Sequence, residues 1–225
     1  MPFRWPSTTQ RTLLLGSTGS GKTVLGAHIL SNQPISKMPW IIFDFKRDGL
    51  MREIPYAKFI DFKTVPKEPG VYILDCEVVE DDDKIETFLG KVHKQRRTGL
   101  FFDEAFMMPH RRPFRKLNAI YTQGRSMHIP TISLTQRPVE ISRFAYSEAD
   151  HIVYMRLNDR RDQKTVREFT PDGPLWDLEK PFPKYHARWY DVGQHESYEV
   201  LPAPKPDDIL TTFEDRLRPQ RKVYM

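Results

Sequence analysis

Residues 16–23 read GSTGSGKT, a spacing that suits the binding of a nucleoside triphosphate. Gly16, Gly19 and Gly21 permit tight turns, so backbone N–H groups through Ser17, Thr18 and Ser20 can converge on phosphate oxygens. A helix starting near Lys22 adds the positive end of its dipole. The Lys22 ammonium is placed for the β- and γ-phosphates, and the Thr23 hydroxyl for the shell of a Mg2+ ion. A plain glycine turn would need neither of these, nor the apolar run TLLLG (12–16) that leads into the loop. The chemistry implied is phosphoryl transfer from ATP or GTP.

Such a site requires a carboxylate, and GLFFDEAF (99–106) supplies two at the end of an apolar run. Asp103 is assigned to the metal, through water, and Glu104 to the attacking water as base or positioner. The plainer reading, a strand end with solvent-facing acids, leaves Lys22 and Thr23 without their partner. TISLTQRP (131–138) ends another apolar run in Thr135 and Gln136. At the C-terminal edge of a parallel sheet, Gln136 can hydrogen-bond a γ-phosphate or its water. Arg125, in YTQGRSMHIP, can act on a phosphate of its own site, on one across a subunit interface, or at an interface alone. Asp44, at the end of the strand predicted in WIIFDFKRDG, can support metal, loop geometry or a turn. The histidines have no metal-ligand spacing, and the lone Cys76 excludes an intrachain disulfide.

The elements that must position these groups alternate. TLLLG (12–16), WIIFDF (40–45), VYILD (71–75), GLFFDE (99–104), TISLT (131–135) and HIVYM (151–155) lack polar alternation and read as strands buried on both faces. Residues 22–31, 84–94 and 114–123 carry helical periodicity between them. The pattern predicts an α/β fold with a mostly parallel central sheet flanked by helices. Its 225 residues fit one motor-sized domain over 1–200, with a Pro- and charge-rich tail over 201–225 that packs on that domain or a neighbour, or stays mobile. The tail offers a short helix at 207–217, and 171–191 reads as short strands and turns.

Hydrophobic residues make up 39% of the chain and charged ones 29%, the balance of a globular protein. No apolar run is long enough for a membrane span and the opening MPFRWPSTTQR lacks the apolar stretch of a signal peptide, so neither anchoring nor secretion is expected. The formal charge of +5 is modest, but basic residues bunch at 91–97, 111–116 and 156–164. Each bunch is either a solvated face or a phosphate-binding surface.

GSTGSGKT, WIIFDFKRDG, LFFDEAF and above all the continuous LNAIYTQGRSMHIPTISLTQRPVEIS resemble the FtsK/HerA superfamily of DNA-pumping ATPases. The small size resembles its viral branch, the genome-packaging ATPases of membrane-containing icosahedral bacteriophages and archaeal viruses. The likeness spans about residues 10–165. It implies a RecA-like P-loop NTPase fold, ATP with Mg2+, and a homo-oligomeric ring, by analogy a hexamer, acting on double-stranded DNA. It also implies capsid or portal vertex partners, association with a viral membrane vertex, and a place at the virion packaging vertex or in the host cytoplasm during assembly. The family's phosphate-loop lysine and threonine fall on Lys22 and Thr23, its acids on Asp103 and Glu104, its glutamine on Gln136, and its trans-acting arginine on Arg125. A long N-terminal membrane region and a C-terminal winged-helix domain are not matched, so sequence-directed loading on DNA is not expected of these residues.

For a DNA path, the segment 111–116 offers Arg111, Arg112, Arg115 and Lys116 a few residues after the acids, with Pro109 and Pro113 favouring an extended approach. Subunit pairing is the competing role for these charges. Three other classes are open: a filamentous-phage assembly ATPase of the Zot-like type, a nucleoside or metabolite kinase, and a non-catalytic nucleotide switch. DNA-stimulated hydrolysis separates the motor from the last two, and Glu104 beside Asp103 speaks against the switch.

Overall fold

Short apolar runs without polar alternation are stable only where both faces are covered, and the sheet of this protein is made of them. A computed structural model describes residues 4–77, 80–108, 115–170 and 183–219. In chain order the strands are β1 (Arg11–Leu15), β2 (Pro39–Asp44), β3 (Lys58–Ile60), β4 (Gly70–Asp75), β5 (Gly99–Phe102), β6 (Thr131–Thr135), β7 (His151–Tyr154), β8 (Ala187–Asp191) and β9 (Glu196–Val200). They form one sheet in the order β3-β4-β2-β5-β6-β1-β7-β8-β9. Every pairing from β3 through β7 is parallel, and β8 and β9 close that edge antiparallel. The expected α/β architecture, a mostly parallel sheet flanked by helices, is the one observed.

The helices are α1 (Lys22–Ser31), α2 (Gly49–Arg52), α3 (Asp82–Gln95), α4 (Arg115–Met127), α5 (Arg143–Ser147), α6 (Arg160–Phe169) and α7 (Pro206–Leu217). Alternate strand residues feed opposite layers, as the two-residue strand period demands. Ile42, Phe101 and Leu134 meet Leu25 and Ile29 of α1 on one face. Ile41, Phe43 and Phe102 meet Ile85 and Phe88 of α3 and Ile120 of α4 on the other. Helix α1 lies so close to the sheet that a Cβ on Gly26 would stand 2.8 Å from Leu134 Cδ2.

One placement differs from the sequence expectation. Helix α4 runs on to Met127, so Arg125 lies within its last turn instead of after it. The basic run 156–164 is partly helical: Asp159 caps α6 by accepting from Arg161 N–H and Asp162 N–H, and Arg160 and Arg161 face solvent. Helix α7 lies against α1, with Ile209 and Phe213 fully buried in the α1-side core and the Arg216 guanidinium donating to the Ser31 carbonyl. Burying two such side chains contributes about 1.5–3 kcal/mol each to docking this 12-residue helix.

Candidate nucleotide site

The glycine-rich loop continues the edge of β1. Gly16 N–H donates to Thr135 O (3.2 Å) and Ser17 N–H to Arg156 O (2.8 Å), so the loop is anchored to the ends of both neighbouring strands. Gly19 and Gly21 have φ of +75° and +93°, left-handed values that a side chain would strain. Gly21 caps α1. Lys22 is 6% exposed and, among the described residues, its ammonium donates only to Ser17 O, at 3.3 Å. Burial pushes its pKa down to about 8, against the opposing pull of Glu104 and Asp103. A buried cation with one carbonyl partner is poised for an anion.

Because β5, β6 and β1 are neighbours, their C-terminal ends bring the acids and Gln136 beside the loop. Asp103 and Glu104 follow β5 in a turn, and both are fully buried. Among the described residues, neither carboxylate oxygen of Asp103 has a hydrogen-bond partner, and Lys46 Nζ stands 3.9 Å from Oδ2. Burial pushes the Asp103 pKa up to about 6, with Lys46 opposing and Asp48, Asp44 and Glu104 adding to the rise. Two bare oxygens on a buried carboxylate beside a phosphate loop fit a hard divalent cation that keeps most of its shell as water and phosphate.

Glu104 is held on both sides. Its Oε1 accepts from Gln136 N–H at 2.9 Å and its Oε2 pairs with Lys46 Nζ at 2.8 Å. The Gln136 side chain accepts from the Thr18 hydroxyl in turn, which closes a chain from the loop through Gln136 to Glu104. Downstream of Gln136, Val139 N–H donates to the buried Asp162 of α6 at 3.1 Å, so the same strand end is tied to an outer helix. Asp44 accepts from Arg52 Nε at 2.6 Å and from Asp48 N–H, which leaves it fixing the turn after β2.

Arg125 is not part of this assembly. Its guanidinium pairs with Asp150 at 3.3 Å, and Asp150 also accepts from the backbone and side chain of Arg11, the first residue of β1. The glycine-rich loop leaves the other end of β1, and five residues at about 3.3 Å each put the two ends roughly 16 Å apart. Arg125 is therefore at the opposite edge of the sheet from its own phosphate loop, with 65% of its side chain exposed.

In sequence, the chain is 37% identical over 224 residues to the DNA packaging ATPase P9 of Enterobacteria phage PRD1, covering 95% of this chain and 96% of that one. The chain belongs to the DNA-packaging ATPase family. The expected likeness to viral genome-packaging ATPases is thus the one found. No family model matches the chain. In structure it is similar to the genome packaging NTPase B204 of Sulfolobus turreted icosahedral virus 2, solved in complex with AMPPCP. The TM-score is 0.72 at 19% identity, covering 88% of this chain and 100% of that one. It also shares its fold with ATPases 2 and 3 of EssC from Geobacillus thermodenitrificans, with a TM-score of 0.64 at 15% identity over 95% of this chain and 44% of that one.

In this packaging ATPase family member, two residues near the loop escape a reading of motifs. Lys46 sits two residues past β2, and only the pairing of β2 with β5 reveals that it faces Asp103 and Glu104. Tyr185, in a stretch without periodicity, overhangs the loop, with its Cδ1 3.0 Å from where a Cβ on Gly21 would be. Of the basic segment, Arg111, Arg112 and the side chain of Arg115 lie outside the described residues. Lys116 is exposed in the first turn of α4, where its N–H donates to Glu86 at 3.2 Å. No helix among the described residues is long and apolar enough to cross a membrane.

Proposed function

We propose that the chain is an ATP-driven translocase of double-stranded DNA that packages a viral genome into a preformed capsid. The observation that carries this reading is the closed chain from Thr18 through Gln136 to Glu104, which joins the phosphate loop to the acid that orients the attacking water. Kinship with a phage DNA packaging ATPase over nearly the whole chain supplies the substrate class.

In this reading the N–H groups of residues 16–23 and the Lys22 ammonium hold the β- and γ-phosphates. Asp103, through water, and the Thr23 hydroxyl would hold Mg2+, which would supply charge neutralisation at the phosphates. Glu104 orients water for in-line attack: an O–P bond forms as the bond from the γ-phosphorus to the β–γ bridging oxygen breaks, and the water proton passes by way of Glu104 to the released phosphate. Gln136 contacts the γ-phosphate, and its departure releases the Thr18–Gln136 link. Arg125 serves a neighbouring subunit, since its exposed guanidinium at the end of β1 away from its own loop fits a head-to-tail ring, by analogy a hexamer. Capsid or portal proteins, a viral membrane vertex, and residence at the packaging vertex complete the proposal.

For the DNA path we keep the segment 111–116, whose Arg111, Arg112, Arg115 and Lys116 follow the acids closely. The test is ATP hydrolysis with and without duplex DNA across a salt series, for the parent, K22A and the Arg111→Ala, Arg112→Ala double variant. DNA-stimulated turnover that needs Lys22 and weakens with salt is expected. Each phosphate contact contributes about 0.9 to the salt slope, so the double variant should lower it by roughly 2. Hydrolysis indifferent to DNA would refute the motor reading, and an unchanged slope in intact rings would remove this segment from the path.

A further inference from the structure

Helix α3 closes on Arg96 and Arg97, at a place where helices commonly end in glycine. Arg96 has φ of +64° and ψ of −177°, a region close to glycine-only, and Arg97 follows at φ +45°. His128, just past the end of α4, has φ of +54°. Seven non-glycine residues among those described have positive φ, and the three at this corner are all basic. Each side chain held this way lowers stability where glycine would not.

The corner itself is firmly built. Arg96 N–H donates to Val92 O at 2.9 Å, and its carbonyl accepts from the hydroxyl of the buried Thr98, also at 2.9 Å. Arg97 N–H donates to Met127 O at 3.0 Å, which joins the turn to the end of α4, two residues beyond Arg125. There the chain folds back so tightly that a Cβ on Gly124 would stand 2.8 Å from Ile129 O. The backbones of 96–97 and 125–128 thus form one rigid unit. Their side chains differ. Arg125 is paired with Asp150, whereas the exposed Arg96 and Arg97 guanidiniums have no ion-pair or hydrogen-bond partner among the described residues. Two arginines kept at strained backbone angles, with neither charge used by the described fold, call for an anion outside the chain.

We infer that Arg96 and Arg97 bind the phosphates of the nucleotide held by the next subunit. The inference rests on the head-to-tail ring proposed above and names the cations in it that are free to act. In that ring the edge bearing Arg125 faces the neighbour's phosphate loop. The bond from Arg97 to Met127 carries the 96–97 turn into the same interface. Arg125 arrives there with its charge shared with Asp150, so the uncommitted charge comes from Arg96 and Arg97. A triphosphate, with several anionic oxygens close together, suits two adjacent guanidinium forks. A ligand held by two subunits at once also favours the assembled state, so nucleotide should promote ring formation through this turn.

The test uses the full chain with Mg2+ and ATP, comparing the parent, R96G, the R96G, R97A double variant and K22A. Without nucleotide, R96G should raise Tm by about 2–4 °C, because glycine relieves the strained turn. The double variant should nevertheless hydrolyse ATP about a hundredfold more slowly in assembled rings. Sedimentation should show that its assembly no longer responds to ATP. Mixing it with K22A subunits should restore part of the turnover, since K22A brings intact Arg96 and Arg97 to a site with an intact Lys22. A lower Tm for R96G removes the strain argument and overturns the proposal. Parent-like turnover and ATP-promoted assembly in the double variant overturn it too, as does a loss that K22A does not rescue in verified mixed rings. Assembly lost even without nucleotide would make these arginines contacts to a neighbour's acidic side chains. Loss confined to the DNA-stimulated rate would make them DNA contacts, and either result rules out the phosphate assignment. Failed rescue of R125A by K22A, by contrast, tells against the trans role of Arg125 and is read separately from the double variant.

Discussion

Replacing Asp103 with asparagine (D103N) should stabilise the free protein while destroying its function. The Asp103 carboxylate is fully buried, with no hydrogen-bond partner on either oxygen among the described residues, and its pKa is raised from 3.8 to about 6. The sign runs opposite to that of a salt-bridged aspartate. The folded state holds the proton more tightly than the unfolded chain, so ionisation penalises folding. The penalty is absent below pH 3.8, grows between about pH 4 and 6, and is full above that. The difference between 3.8 and about 6 is worth roughly 3 kcal/mol at pH 8. Asparagine removes the charge but leaves buried N–H donors unmatched, an offset of about 1 kcal/mol. A net gain of about 2 kcal/mol raises Tm by roughly 4–8 °C for a domain of this size. Thermal denaturation without nucleotide or divalent cation, from pH 8 to pH 4.5, tests this. The gap should be largest at pH 8 and close towards pH 4.5. Added Mg2+ and ATP should stabilise the parent more than the variant. A variant no more stable than the parent at pH 8, or a gap independent of pH, would refute the argument that burial strains this carboxylate.

Glu104→Gln should keep the acceptor for Gln136 N–H, bind nucleotide near normally and lose turnover by about 10² or more, as expected for removal of a general base; nucleotide affinity lost together with turnover would place Glu104 in the binding shell. Arg125→Ala should bind ATP normally but hydrolyse it slowly, and mixing R125A with K22A subunits should restore part of the activity. Absence of rescue in verified mixed rings would argue against a finger acting on the neighbour. Phe213→Ala should cost about 3–5 kcal/mol in denaturant unfolding, because Phe213 is fully buried where α7 meets α1; a loss under about 1 kcal/mol would mean that α7 docks without belonging to the core.

The parts legible in the sequence are those whose cause is local. Continuous apolar runs such as WIIF and GLFF are strands because their surroundings cover both faces, and the run itself carries that information. The phosphate loop is legible because glycine, lysine and threonine stand at fixed offsets within eight residues. Strand order is not local. That β2 lies beside β5 follows from how the crossovers pack, and only this pairing turns Lys46 from a polar residue after a strand into the partner of Glu104. Arg125 shows the same limit: the motif order singles it out, but the register of β1 against β7 is what sets it beside Asp150 at the far edge. Tyr185 belongs to a stretch with neither helical nor strand period, and its signal is a backbone angle that residue type does not encode. Strand β3 is three residues long at a sheet edge with Lys58 and Phe59 exposed, too short and too wet to leave a pattern.

The docking of α7 on α1 has a consequence for synthesis. The Arg216 side chain reaches the Ser31 carbonyl across 185 positions of the chain, and Phe213 fills the layer beneath the helix that starts at the phosphate loop. Contacts of such separation form late, since closing so long a loop precedes the reward for it. While the nascent chain is on the ribosome, the segment that includes α1 can collapse, but its outer surface stays bare until residues near 217 have emerged. During that interval the apolar side of α1 is open to misassociation with other emerging chains. A chain arrested before α7 would therefore carry the phosphate-loop sequence with that side of α1 still bare.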